Sequence, residues 1–308
     1  MPELPARPDL DQLRRQAKEL LRAARAGDPA ALARMNAVSP RLTLAGAQLA
    51  IAREHGFGGW RRLRTEVLRR EILNQRDLER LAVLLAEQPE LARTSMRRWC
   101  DHPRGASPLG YVAMLRFDAG RLGLDGPLPG TGAVARALLA AGAPVNGEPG
   151  DQETPLITAA SYGDAEVAAV LIEAGADLEA TAAPASGGVP GGTALLHAAV
   201  FGMTEVVEVL LAAGARVNSL GEAAAAGDVT GWLGPDTPLQ DRVRALAMAA
   251  DHQRLDVIDQ LLAAGTPIDA EDDRYHLQAL RLATENGRTA SVEHLLRRGA
   301  TPLPHLDR

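Results

Sequence analysis

Lysine is nearly absent: of 33 basic residues, Lys18 alone is a lysine. A phosphate-binding loop of the form Gly-x-x-x-x-Gly-Lys is therefore excluded, because no glycine stands in the run Leu13 to Ala17 before it. The bias toward arginine looks like the codon usage of a high-GC bacterium. Cys100 is the single cysteine and cannot close an intrachain disulfide. With seven histidines and one cysteine, no Cys-x-x-Cys or His-Glu-x-x-His spacing occurs, so neither a metal nor another cofactor is expected. Aromatic residues make up only 3% of the chain, so burial must come from Ala, Leu and Val, which suits closely packed helices. No apolar run approaches the roughly 20 residues that cross a bilayer. The opening Met1 to Pro5 lacks the basic-then-apolar layout of a secretory signal, and a cytoplasmic location without membrane contact is the expectation. A net charge of -6 argues against a grip on a phosphate backbone as the main mode of binding, so no nucleic acid partner is expected.

What the chain does have is a recurring ending: two leucine-like residues, two more residues, then glycine. The copies close at Gly142, Gly175, Gly214, Gly265 and Gly299, separated by 33, 39, 51 and 34 residues. A period near 33 with insertions of 6, 18 and 1 fits these gaps. The copy at 151–180 reads as a helix hairpin. Thr154 is placed to cap a first helix, Pro155 suits its first turn, and Ala159 and Ala160 keep it thin. Gly163 breaks it, Val167, Val170 and Leu171 repeat at helical spacing on a second helix, and Gly175 ends that helix.

These residues resemble the ankyrin repeat, with its Thr-Pro-Leu-His-x-Ala-Ala opening, Val pair, Leu-Leu and Gly-Ala-Asp close. The likeness extends to 190–218, to Arg244 through Asp269 and to Gln278 through Ala300. The family's histidine is missing at its usual place, where Gly110, Ile157, Leu196, Ala247 and Arg281 stand, and His197 comes one residue late. The chain is identified as a member of the bacterial ankyrin-repeat proteins. The fold class implied is all-α, an ankyrin-repeat solenoid of stacked helix hairpins with short extended fingers and a helical N-terminal cap. Its expected parts are a capping region at 1–72 and a repeat domain at 73–308. Within the latter lie a degenerate first repeat at 73–104, an insertion at 116–129 and a half-repeat insertion at 219–236. Ala47 to Trp60 resembles a helical region found ahead of such repeats in bacterial proteins.

The resemblance implies a non-catalytic protein-interaction module. Partners of this architecture meet the finger tips and the exposed end of each first helix. Those positions are Ser161 and Tyr162, Val200 and Phe201, Asp251 and His252, and Asn286 after Glu285, with Gln152 and Glu153 in a finger. Tyr275 and His276 fall in the last finger. Placing one of three tyrosines and one of three phenylalanines at such ends favours binding, since aromatic rings concentrate contact energy. Packing against neighbouring repeats is the alternative for both. Trp60, Trp99 and Trp232 read as packing anchors. The partner is expected to be a protein, with the chain a monomer in isolation; a self-associating scaffold is another reading of the same repeats.

Other chemistry is poorly supported. Gly130 to Ala135 formally fits a dinucleotide fingerprint but does not follow a strand. Ser107 and Ser186 lack a Gly-x-Ser-x-Gly elbow. Asp251 beside His252 suggests acid-base work, yet sequence neighbours often point apart. The rival to a binding module is an enzyme or small-molecule receptor, its pocket formed where 116–129 and 182–192 fold over the repeat face to collect His197, Asp251 and His252.

Overall fold

The computed structural model describes residues 4–5, 7–39, 41–96, 106–124, 128–274 and 276–303. Trp99, Cys100 and Tyr275 lie outside them. The chain forms two compact units, Met1–Ala143 and Pro144–Arg308. The described residues are helical and contain no strand, only isolated bridges pairing Met96 with Ala106 and Glu271 with Gln278.

The first unit opens with α1 (Leu10–Arg25), α2 (Pro29–Asn36), α3 (Leu44–Glu54) and α4 (Trp60–Gln75). Short polar side chains start three of them by accepting an orphan backbone N–H: Asp9 from Gln12, Asp28 from Ala31 and Thr43 from Gly46. Leu13, Ala17, Leu20 and Ala24 of α1 pack with Met35, Ala47, Ile51 and Leu63, while Phe57 and Trp60 are half-buried against this core. Then come α5 (Leu78–Glu87), a 3-10 turn (Pro89–Ala92), α6 (Pro108–Met114), α7 (Ala119–Leu122) and α8 (Thr131–Ala140). Buried Glu66 on α4 accepts from Arg69 Nη2 at 2.5 Å and Arg70 Nε at 2.9 Å. Arg69 in turn donates to the carbonyls of Leu91 and Thr94, tying α4 to the segment after α5.

The second unit is a stack of hairpins: α9 (Pro155–Tyr162) with α10 (Ala165–Glu173), then α11 (Ala194–Val200) with α12 (Thr204–Ala212). After α13 (Leu220–Ala226) come α14 (Leu239–Asp251) with α15 (Leu255–Ala263), and α16 (Ala279–Glu285) with α17 (Thr289–Arg297). First helices pack on first helices, α9 on α11 on α13 on α14 on α16, and second helices form their own row, with α10 on α12 and α15 on α17. Helix α13 occupies a place in the first row, but residues 227–238 run as turns instead of a second helix. Val229 is buried there and Leu233 partly buried against the same core, so the shortened unit still fills its layer.

The leucine pairs divide their labour. Leu138, Leu171, Leu210, Leu261 and Leu295 are at most 1% exposed. Their successors Leu139, Ile172, Leu211 and Leu262 are half-buried, and Leu296 is exposed. At 3.6 residues per turn the second member rotates off the core stripe.

Candidate functional site: the loop-facing ends of the first helices

The segment between α10 and α11 is anchored, and it brings two expected site residues into play. Ala182 and Gly192 pair their backbones, with Ala182 N–H donating to Gly192 O at 2.9 Å and Gly191 N–H to Ala182 O at 3.0 Å. Gln152 accepts the N–H of Ala183 at 2.8 Å through its carbonyl, and the Glu153 carboxylate accepts from the Ser186 hydroxyl. Buried His197 completes the latch. Its Nδ1–H donates to the Thr193 carbonyl at 2.9 Å, leaving Nε2 to accept the N–H of Val189 at 3.0 Å. A Cβ on Gly188 would stand 3.0 Å from that Nε2, so the loop approaches the ring as closely as glycine allows. Burial holds His197 below the ordinary histidine pKa, against the opposing pull of the Thr193 carbonyl and of Glu153.

Phe201 closes α11 at 38% exposure, its ring tilted 48° to that of His197 with centroids 6.2 Å apart. Tyr162 and Ser161 end α9 half-buried, and the Ser161 hydroxyl is turned back to the Ile157 carbonyl at 2.9 Å. Gly163 follows at φ +75°, where a Cβ would meet Met203 Sδ at 2.6 Å.

The expectation that Asp251 and His252 are exposed is corrected: they are 1% and 2% exposed. The reason is the neighbouring hairpin: the segment after α16 folds back over the end of α14 and supplies both side-chain donors to Asp251. Asn286 Nδ2 donates to its two oxygens at 2.9 and 3.0 Å, Arg288 Nε donates to Oδ1 at 2.9 Å, and Arg288 Nη2 donates to the Gly202 carbonyl at 2.7 Å. His252 bridges back by donating from Nε2 to the Ala199 carbonyl and accepting the Thr204 hydroxyl proton at Nδ1, each at 2.9 Å. Burial lowers its pKa, opposed by the Ala199 carbonyl and Asp251 and reinforced by Arg254 and Arg288. Asp251 and His252 thus point apart, one into a charge network and the other into a neutral bridge.

Glu222, buried on α13, was not singled out from sequence. Ser219 caps Glu222 N–H, and the Glu222 carboxylate accepts the Ser219 hydroxyl at 3.0 Å and the Asn218 N–H at 2.7 Å, a variant of the capping box. Burial raises its pKa despite these bonds. His276 lies in the last finger at φ +55°, its Nδ1 2.8 Å from Glu271. Trp232 is 37% exposed, less enclosed than a packing anchor requires.

Among the described residues no group of three or more His, Cys, Asp or Glu side chains is placed to hold a metal ion, and no helix is long and apolar enough to cross a membrane. Residues 130–221 match the family model for ankyrin repeats, in three copies. A crystal structure of the human ASB11 ankyrin repeat domain is similar at 24% sequence identity and a TM-score of 0.41, covering 76% of this chain and 84% of that one. No curated protein matches. The chain carries ankyrin repeats on an all-α repeat fold.

Proposed function

We propose that this chain is a non-catalytic adaptor, bacterial and cytoplasmic and monomeric in isolation, whose repeats present a rigid face to a protein partner. The observation that carries the reading is the exposure of Phe201 on a frame whose surrounding polar groups are already engaged. A large ring held by a buried neighbour offers contact area at little entropic cost. Tyr162, Ser161, Gln152, Glu153 and Asn286 extend the proposed surface, with Tyr275 added from sequence. Asp251 and His252 support it from within by fixing the ends of α11, α14 and α16 relative to one another.

The rival pocket would need His197, Asp251 and His252 free to meet a ligand. Each instead satisfies backbone or side-chain partners of the fold. The experiment is affinity capture from native cytosol by the parent chain and by the Tyr162→Ala/Phe201→Ala double variant. A protein retained by the parent and lost by the variant, at unchanged melting temperature, is the expected result. Equal retention by both would remove the assignment of these two rings.

A further inference from the structure

The net charge of -6 is divided very unevenly between the two units. Residues 1–143 hold 23 Lys or Arg against 15 Asp or Glu, a net of +8, whereas 144–308 hold 10 against 24, a net of -14. An average over the whole chain therefore says little about what either unit attracts.

The basic excess has a geometric focus on α1. Arg14, Lys18, Arg22 and Arg25 follow one another at spacings of four, four and three residues, which keeps them on one face of the helix, with Arg15 beside them. The stripe runs for about 16 Å along the axis. All five residues are exposed. Arg14 pairs with Asp11 and Arg25 donates to the Leu42 carbonyl, but Arg15, Lys18 and Arg22 make no ion pair among the described residues. Glu19, the other acid of this helix, faces instead the groove between α1, α2 and α3. Elsewhere in the chain arginines do pair with carboxylates, Arg34, Arg69, Arg70 and Arg80 in the first unit and Arg216, Arg244, Arg254, Arg288 and Arg298 in the second.

A solvated helix face ordinarily mixes charges of both signs, and the helix dipole accounts for cations only in the last turn, here Arg22 and Arg25. Arg15 is drawn to the Asp9 carboxylate at the start of the helix, and Lys18 is left unexplained by either. We propose that the exposed stripe of α1 is a docking surface for double-stranded DNA, engaged through its phosphate backbone. Four residues of helix advance about 6 Å, so the cations form an evenly spaced row, which complements a repeating anion better than a single acidic side chain. An anionic membrane fits less well, because the apolar face of α1 is committed to the core: Leu13, Ala17, Leu20 and Ala24 are at most 4% exposed. Single strands are gripped by stacking on aromatic rings, and α1 has none. The stripe belongs to the first unit, and the proposal does not depend on the partner-binding residues proposed in the second.

The test is fluorescence anisotropy of a labelled 20-base-pair DNA duplex titrated with the full chain at salt concentrations from about 50 to 200 mM. Three phosphate contacts predict a slope of log affinity on log salt of about -2.7, or about a 40-fold loss across that range. Arg15→Gln/Lys18→Gln/Arg22→Gln should weaken binding at the lowest salt by more than about tenfold and flatten the slope. A charge-matched control in the acidic unit, Arg216→Gln/Arg297→Gln/Arg298→Gln, should bind as the parent does. Circular dichroism checks that α1 persists in the triple variant, and Lys18→Glu alone serves as the probe if it does not. The proposal is overturned by no saturable binding at the lowest salt, by equal losses in both triple variants, or by an α1 variant that binds normally. Binding to phosphatidylserine vesicles or duplex RNA but not to duplex DNA overturns it as well.

Discussion

Arg288 reaches Asp251 across 37 positions of sequence, placing its Nε 2.9 Å from Oδ1 of a carboxylate that is 1% exposed. The same guanidinium donates to the Gly202 carbonyl, so one side chain joins three first-helix ends. Removing it leaves a buried anion with only Asn286 as side-chain partner. Arg288→Ala should destabilise the chain by about 3 kcal/mol, the scale set by an uncompensated buried charge. Urea denaturation measures this, and a loss below about 0.5 kcal/mol would mean that water reaches Asp251.

Two glycines with positive φ separate backbone strain from crowding. Gly175 sits at φ +87° with open space where a Cβ would go, whereas Gly202, at φ +69°, would drive a Cβ to 2.2 Å from Asp251 Oδ2. Gly175→Ala should cost about 1 kcal/mol, from conformation alone. Gly202→Ala should cost well over about 2 kcal/mol, because it also displaces the buried carboxylate. Equal losses in parallel denaturation curves would contradict the network drawn around Asp251.

The leucine pairs make a sharper test of the stack. Leu171 is fully buried and Ile172 beside it is half-buried. Leu171→Ala should cost about 2 to 5 kcal/mol, since it removes transfer energy and opens a cavity. Ile172→Ala should cost about 1 kcal/mol, in proportion to its smaller buried area. The difference between the two midpoints checks which member of each pair faces the core.

How far sequence alone reaches is visible in the same residues. Thr154, Pro155, Gly163 and Gly175 declare a helix hairpin because capping, first-turn proline and positive φ are local demands met within a few positions. The first-helix ends could be named by the same counting, which put Phe201 and Tyr162 correctly at helix termini. Counting could not tell that Asp251 and His252 would be enclosed, since Arg288, Asn286, Thr204 and Ala199 meet them from 35 to 53 positions away. His197 likewise gave no sign of its latch role beyond standing one residue late. The glycines at 188 and 192, spaced to let a backbone approach an imidazole, were the available signal.

Burial of His197 and His252 predicts a loss of stability toward acid pH. Both have pKa values lowered by burial, so in the folded state each stays neutral at pH values where the unfolded chain, with an ordinary value of 6.5, already binds a proton. The unfolded state then holds more protons, and stability rises with pH across that window. Their contribution is complete above 6.5 and is lost as pH falls toward the folded values. A charged His197 would also present N–H to the Val189 N–H it now accepts, opposing donor to donor. Glu222 acts in the other direction: with its pKa raised from 4.5, the folded chain binds a proton more readily, so its ionisation above that value costs stability. The net expectation is a melting temperature that is level from pH 8 to about 7 and falls steadily from about 6.5 to 5. Protection of the Val189 amide against hydrogen exchange, relative to the intrinsic rate at each pH, should fall across the same interval, ahead of that of the α11 amides. A melting temperature flat to pH 5 would show that neither imidazole is buried as neutral, and would leave the 182–192 loop without its latch.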